Sequence, residues 1–165
     1  MSEVVVCEDL SELKGAVPKK ERTFVMIKPG GVERGLVGAV IERFERTGLT
    51  IAALKLVQLT KQVAERQYAE HKSEYYYEPL IAYMISGPTI ALVLEGEDAI
   101  NVARETAGKT DPREALPGTI RADFGIDTRH NVVHASDSEA AATREIEIHF
   151  PELRARALYV KQSLV

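Results

Sequence analysis

Four short runs of β-branched and apolar residues alternate with stretches in which apolar residues recur at helical spacing. Strands are predicted over residues 23–28, 50–59, 89–94 and 131–133. Helices are predicted from Leu36 to a stop at Gly48, over 60–71 and on to about 85, over 98–107, and from Ser136 onward with Glu139 completing a capping box. The order β-α-β-(α-α)-β-α-loop-β-α predicts an α/β sandwich, a ferredoxin-like split βαβ fold with a four-stranded antiparallel sheet and inserted helices.

Two segments fall outside this alternation. Residues 1–20 show no clear period and are interpreted as an N-terminal extension, which leaves residues 21–165 as one domain, long enough to bury its own core. Residues 108–129 carry three glycines and two prolines and are predicted to form a long irregular loop. Long ordered loops in compact domains are usually functional, so this loop is a candidate part of a site.

Composition limits the partners of the chain. The formal net charge is −4, so we expect no bulk electrostatic binding to nucleic acid. The single cysteine, Cys7, allows no intrachain disulfide and fits a reducing compartment. The most apolar segment, residues 79–94, is interrupted by Gly87 and Pro88 and is too short to cross a bilayer, and the N-terminus does not read as a signal peptide. We therefore expect a cytoplasmic protein with no membrane partner.

Residues 103–110 read A-R-E-T-A-G-K-T, which is close to a phosphate-binding P-loop. A P-loop needs a strand before it and a helix after it, so that backbone N–H groups can cradle phosphate. Here the preceding residues have a helical pattern and Asp111-Pro112 follows directly. The context therefore argues against a P-loop.

A second candidate site lies around His134, in the segment N-V-V-H-A-S-D over residues 131–137. The patterns place this histidine where a strand meets a helix start, and a helix N-terminus favours an anion. Taken alone, a histidine in this position is more often an ordinary structural residue than a functional one. Arg104, Thr110 and Arg121 precede it, and two guanidinium groups with a hydroxyl are suited to clamp a phosphate.

Five motifs together resemble the nucleoside diphosphate kinase family. They are T-F-V-M-I-K-P at 23–29, R-G-L-V-G at 34–38, S-G-P at 86–88, P-G-T-I-R at 117–121 and N-V-V-H-A-S-D at 131–137. The resemblance covers about residues 21–150. It implies ping-pong transfer of the γ-phosphoryl group from a nucleoside triphosphate, usually ATP, to a nucleoside diphosphate, with Mg²⁺ as cofactor. It also implies a homo-oligomer, a hexamer or alternatively a tetramer.

The resemblance also implies roles for individual side chains. His134 is the phosphoryl acceptor, Glu145 and Ser136 orient it, and Tyr68 lies near it. The implied nucleotide ligands are Lys28, Arg104, Thr110 and Arg121 for phosphate, Lys28 and Asn131 for the sugar, Tyr76 for stacking on the base with Leu80 beside it, and Asp137 for magnesium through water. Taken alone, Lys28 could be a solvated charge, Tyr68 and Tyr76 packing residues, and Glu145 a solvent-facing residue, since an ion pair with the adjacent Arg144 is not expected.

The chain departs from the family pattern in four places. Gly30 stands where an acidic residue is usual, Tyr76 where Phe is usual and His130 where Arg is usual, and the segment after Phe150 is shorter and different. Two rival functions are a non-catalytic nucleotide-binding scaffold, which Gly30 and His130 would favour, and a single-strand RNA binder. The second lacks the aromatic RNP1 pattern expected of such a sheet.

Overall fold

A computed structural model describes residues 20–153. Its sheet has four strands, β1 (Glu21–Ile27), β2 (Thr50–Gln58), β3 (Pro88–Gly96) and β4 (Val133–Ala135). Their order is β2-β3-β1-β4, and every neighbouring pair is antiparallel. The predicted ferredoxin-like α/β architecture is therefore confirmed. Most of the proposed N-terminal extension, and residues 154–165, lie outside the described residues.

Helices cover both faces of the sheet. They are α1 (Pro29–Glu33), α2 (Val37–Glu45), α3 (Lys61–Gln67), α4 (Tyr77–Met84), α5 (Ala99–Ala107), α6 (Ile120–Phe124) and α7 (Glu139–His149). Within residues 20–153, none of these helices combines the length and the apolarity that a membrane span requires.

Two apolar clusters lie on opposite faces because successive strand residues point to opposite sides. On one face Val25 and Ile27 of β1 pack with residues of α2, α5 and α6. On the other face Phe24 and Met26 pack with residues of α3 and α4, and α7 also lies against β1. Met26 pairs with His134 across the β1–β4 ladder, so His134 faces the side of α3, α4 and α7.

The segment after β1 was predicted as a stop followed by one helix, and this is wrong in detail. Pro29 occupies the first turn of the short helix α1, where its missing N–H costs nothing. A second helix, α2, follows and ends at Glu45, with Arg46 as its C-cap, before Gly48, which has φ +84°. The predicted helix from Thr60 is confirmed, since the Thr60 hydroxyl caps α3 by accepting from the Val63 N–H.

The predicted boundaries around His134 need correction. Strand β4 begins at Val133 instead of Asn131 because Val132 has φ +73°, which interrupts extended backbone. Helix α7 begins at Glu139, and its cap is Ser138, whose hydroxyl accepts from the Ala141 N–H at 3.1 Å. His134 thus lies inside β4, and the helix N-terminus predicted beside it is displaced along the chain.

The segment 108–129, predicted as an irregular loop, contains a 3-10 turn over Pro112–Glu114 and helix α6. Thr119 caps α6 by accepting from the Ala122 N–H at 3.3 Å. The absence of a P-loop is confirmed, because residues 103–107 are helical and Asp111 caps the 3-10 turn instead of leading into a longer helix.

Candidate active site

His134 is held from one side of its ring. Its Nε2 lies 2.9 Å from Oε2 of Glu145, which reaches back from α7. Ser136 donates from its hydroxyl to the same carboxylate oxygen at 2.6 Å, and the N–H of Phe24 donates to Ser136 Oγ at 3.3 Å. The histidine side chain is 20% exposed and that of Glu145 is 4% exposed. The structure therefore brings His134, Ser136 and Glu145 together, and within residues 20–153 the Nδ1 of His134 makes no hydrogen bond.

The Glu145 carboxyl remains ionised despite its burial. Burial alone would raise its pKa, but the hydrogen bonds from His134 and Ser136 outweigh burial and hold the pKa below its usual value. The guanidinium of Arg144 lies 3.7 Å from Glu145 Oε1 and 2.9 Å from Glu70. The expectation that Arg144 would not reach its neighbour Glu145 is therefore wrong. An ionised partner at Nε2 favours the tautomer that carries its proton there.

Tyr68 follows α3 and lies edge-on to the His134 ring, with 6.0 Å between centroids. Its hydroxyl is buried and has no hydrogen-bond partner within residues 20–153. Burial and the nearby Glu145 charge raise the pKa of Tyr68, so the hydroxyl keeps its proton. A buried donor without a partner is uncommon in a native fold, so the Tyr68 hydroxyl is free to bond to a water or ligand atom that reaches it.

Lys28 follows β1 at the N-cap of α1 and is buried. Its Nζ donates to Oδ1 of Asn131 at 2.7 Å, and Asn131 donates from its amide to the carbonyl oxygen of Thr110 at 2.9 Å. The Thr110 side chain itself is exposed. Burial, followed by the positive charge of Arg121, lowers the Lys28 pKa to about 7, while Asp127 partly offsets them. Lys28 and Asn131 are therefore positioned as a pair.

Arg121 lies on α6 and is fixed by two backbone carbonyls. Its guanidinium donates to Gly108 O and Val133 O, both at 2.8 Å, while its Nε is buried without a partner in the described chain. Burial, then the charge of the exposed Arg104, lowers the Arg121 pKa to about 10. The charge of Arg104 thus acts on Arg121, and two neighbouring guanidinium groups create a site suited to an anion.

The backbone between Asn131 and His134 is strained. Val132 is buried and β-branched, yet its φ is +73°, a conformation that such residues rarely adopt. Its carbonyl accepts from the Lys28 N–H at 2.8 Å, and the carbonyl of Val133 accepts from Arg121. The backbone of Lys28 and the guanidinium of Arg121 thus hold the strained Val132 and its neighbour in place.

A row of aromatic rings connects His134 to Tyr76. The Tyr68 ring lies 6.2 Å from His71, and the His71 ring lies 5.7 Å from Tyr76. The Tyr76 hydroxyl lies 2.9 Å from Nδ1 of His71, which fixes its position just before α4. Burial raises the Tyr76 pKa. Leu80, one turn further on, is buried in the core.

Gly30 stands where an acidic residue is usual in the family, and the residues around it, Tyr83, His130 and Asp127, include another carboxylate. The Gly30 N–H donates to the Tyr83 hydroxyl at 3.1 Å, and the Tyr83 ring lies 4.7 Å from that of His130. His130 Nδ1 lies 2.9 Å from Asp127, and N–H groups of His130 and Arg129 lower the Asp127 pKa to about 2. Asp127 thus supplies a negative charge near Lys28, which weakens the case for a non-catalytic scaffold.

Asp137 is exposed and accepts a hydrogen bond from the neighbouring Ser138 at 3.1 Å. Within residues 20–153, no group of three or more His, Cys, Asp or Glu side chains could hold a metal ion.

Two further residues in contact with this group were missed by the sequence analysis. Gln67, the last residue of α3, has its Nε2 3.3 Å from Nε2 of His134. His149, the last residue of α7, has its Nε2 2.8 Å from Oε1 of Gln67. The helical spacing marks both as inward-facing, but only the packing of α3 against α7 makes them neighbours.

A family model described as nucleoside diphosphate kinase matches residues 21–155. The chain belongs to the nucleoside diphosphate kinase family. Membership in the nucleoside diphosphate kinase family makes it a phosphotransferase.

Individual nucleoside diphosphate kinases match most of the chain. That of Archaeoglobus fulgidus is 54% identical over 132 residues, which are 80% of this chain and 87% of that protein. That of Methanocaldococcus jannaschii is 53% identical over 133 residues, 81% of this chain and 95% of that protein. A crystal structure of the Aquifex aeolicus nucleoside diphosphate kinase superposes with a TM-score of 0.78 at 42% identity, covering 79% of this chain and 95% of that chain.

Proposed function

We propose that this chain moves the γ-phosphoryl group of a nucleoside triphosphate to a nucleoside diphosphate through a phosphorylated Nδ1 of His134. The observation that carries the proposal is the contact between His134 Nε2 and the ionised Glu145. With the proton held on Nε2, the lone pair lies on Nδ1, the ring nitrogen left for attack.

The transfer takes place in two halves at one site. In the first, the Nδ1 lone pair of His134 bonds to the γ-phosphorus, and the bond from that phosphorus to the β–γ bridging oxygen breaks. The diphosphate leaves with the electron pair, the ring keeps its proton on Nε2, and Glu145 stabilises the positive charge that develops on the imidazole. In the second half a different nucleoside diphosphate attacks the phosphohistidine and regenerates the free ring.

The side chains around His134 supply charge and donors for the phosphates. We assign Lys28, Arg104, Thr110 and Arg121 to phosphate binding. Support comes from the cationic character of three of them, and from the buried Arg121 Nε and Tyr68 hydroxyl, which have no partner within residues 20–153. Phosphate oxygens would satisfy such donors, and charge-assisted hydrogen bonds to phosphate are the strong kind.

The sugar and base are assigned to the flanking residues. Lys28 and Asn131 are assigned to the sugar hydroxyls, and their mutual hydrogen bond of 2.7 Å supports a joint role. Tyr76 is assigned to stacking on the base with Leu80 beside it, and its bond to His71 would hold the ring in a fixed orientation. Because every base has a π-face, stacking accepts purines and pyrimidines alike.

Magnesium fits this site as a companion of the nucleotide. Mg²⁺ keeps several waters and commonly binds through one or two carboxylates together with substrate phosphates, which suits the isolated, exposed Asp137 acting through water. When bound, Mg²⁺ would neutralise charge on the transferring group.

The proposed setting is the cytoplasm, with ATP as the usual donor and with a homo-oligomer as the working form. Support for assembly comes from the edge strand β2, on which Leu54 and Leu56 are 47% and 65% exposed. An exposed apolar edge strand is a ready surface for pairing. A hexamer, or alternatively a tetramer, would cover it.

Steady-state kinetics test the proposal. With ATP and a second nucleoside diphosphate varied together, double-reciprocal plots should give parallel lines, as a covalent intermediate requires. Intersecting lines would indicate direct transfer within a ternary complex and would refute the role given to His134. A Glu145→Ala variant should keep the parallel pattern with a slower rate, because Glu145 orients the ring without bonding to phosphorus.

A further inference from the structure

Gln67 connects His134 with the buried His149. The residue is 3% exposed, and its side-chain amide lies between Nε2 of His134, at 3.3 Å, and Nε2 of His149, at 2.8 Å. The His149 ring stacks on Phe24, with centroids 4.6 Å apart and planes within 10°. The Phe24 ring also lies 6.0 Å from that of His134. One amide therefore joins the two rings on the same face of the sheet.

The protonation state of His149 determines how the Gln67 amide can be oriented between the two histidines. Burial lowers the His149 pKa to about 4; the charge of Glu145 partly offsets burial, and those of His134, Lys55 and Arg66 add to it. At neutral pH His149 thus carries a single N–H. Its Nε2 either donates to an amide oxygen of Gln67 or accepts from an amide N–H, and the choice fixes which end of the amide faces His134.

The two orientations of the amide have opposite consequences for His134. With the Gln67 nitrogen toward His134, an N–H donor faces a ring nitrogen whose own proton is engaged by Glu145, so two donors oppose each other. A half-turn of the amide places Oε1 there instead, where it shares the single Nε2–H with Glu145 Oε2 as a second, longer acceptor. The Gln67 N–H₂ then donates to His149 Nε2, and each polar group has a complementary partner.

We propose that Gln67 and His149 form a positioning pair, in which Gln67 Oε1 accepts from His134 Nε2–H and His149 Nε2 accepts from Gln67. The pair keeps the proton of His134 on Nε2 and the lone pair on Nδ1. It acts together with Glu145 and contacts no nucleotide. The expected effect on the phosphorylation rate rests on the proposed function of His134. The expected effect on the tautomer of its ring does not.

The first test measures the tautomer of His134 by ¹⁵N NMR of the unliganded protein. Gln67→Met keeps the length of the side chain and removes both polar atoms, and His149→Phe keeps the stack on Phe24 and removes the hydrogen bond. Both variants should raise the Nδ1–H fraction of His134. If Gln67→Met fails to fold, His149→Phe carries the same test. Ile81→Val, in the same core cluster, is the control that lowers stability without changing the tautomer.

The second test measures single-turnover phosphorylation by ATP. Each variant should be slower by roughly tenfold or more, as when a residue that fixes a histidine tautomer is lost, and the double variant should be no slower than the slower single one. An unchanged tautomer ratio, or a changed ratio with an unchanged rate, overturns the proposal. If the parent protein itself is never labelled, the proposed function fails, while the NMR result still decides the role of the pair.

Discussion

Burial and neighbouring charges shift the pKa values of several residues in the site, and the shift is largest for Lys28. Its pKa of about 7 means that it is mostly neutral at pH 8 before any ligand binds. A bound phosphate would raise this pKa, because an anion favours the charged form. Nucleotide binding at pH 8 should therefore take up as much as about one proton per site, and at pH 6, where Lys28 already carries its proton, much less.

Calorimetry of ADP binding in buffers of different ionisation enthalpy measures this uptake. Lys28→Arg is the control, because a guanidinium stays charged throughout this pH range. The difference in proton uptake between the parent and Lys28→Arg should be large at pH 8 and small at pH 6. Equal uptake by both proteins at pH 8 would show that Lys28 is already charged in the free protein.

The φ of Gly30 is not positive, so its backbone conformation does not require glycine. What constrains this position is the close approach of the Tyr83 side chain. A Cβ at this position would lie 2.7 Å from the Tyr83 hydroxyl, whose ring is packed against His130. Gly30→Asp, which introduces the residue usual in the family, should therefore lower the free energy of unfolding by about 1–3 kcal/mol. In a Tyr83→Phe background, where the hydroxyl is gone, the same change should cost clearly less. Urea unfolding of the four proteins measures both costs, and equal costs would contradict this account of Gly30.

At the scale of elements, two serines near the start of α7 have different tasks. Ser138 caps the helix, whereas Ser136 bonds to Glu145 and to β1. Ser138→Ala should lower the free energy of unfolding by about 1 kcal/mol and leave the phosphorylation rate of the folded protein unchanged. Ser136→Ala should slow phosphorylation. Urea unfolding and single-turnover labelling separate them, and a reversed pattern would restore the sequence-based assignment of Ser136 as the cap.

The elements also show what sequence reasoning could reach. Period and turn residues predicted the strands, the Thr60 cap and the sheet class, because these depend on local propensity and on burial of one face. The start of β4 and of α7 was misplaced because the strain at Val132 and the bonds of Ser136 depend on residues distant in the sequence. The placement of Glu145 on the helix after His134 followed from the order of elements, whereas Gln67 and His149 meet only through the packing of α3 and α7.

At the scale of the whole molecule, the exposed Leu54 and Leu56 on the edge strand β2 predict that the chain associates with copies of itself. Light scattering at micromolar concentration should show an oligomer. Leu56→Lys, which places a charge on the edge strand, should shift the population toward smaller species. Ala82→Lys, which adds the same charge on α4, should leave the assembly unchanged. A parent protein that is monomeric under these conditions would contradict the assembly.

The central claim is that His134 carries the phosphoryl group between two nucleotides, and the intact mass tests it most directly. Incubation with ATP and Mg²⁺ without acceptor should add one phosphoryl group per chain, labile in acid and stable in base, as expected of a phosphoramidate. Addition of a nucleoside diphosphate should remove it, and peptide mapping should place it on His134. His134→Ala should keep the fold but lose both labelling and transfer. Label on another residue, or transfer by His134→Ala at the parental rate, would contradict the account.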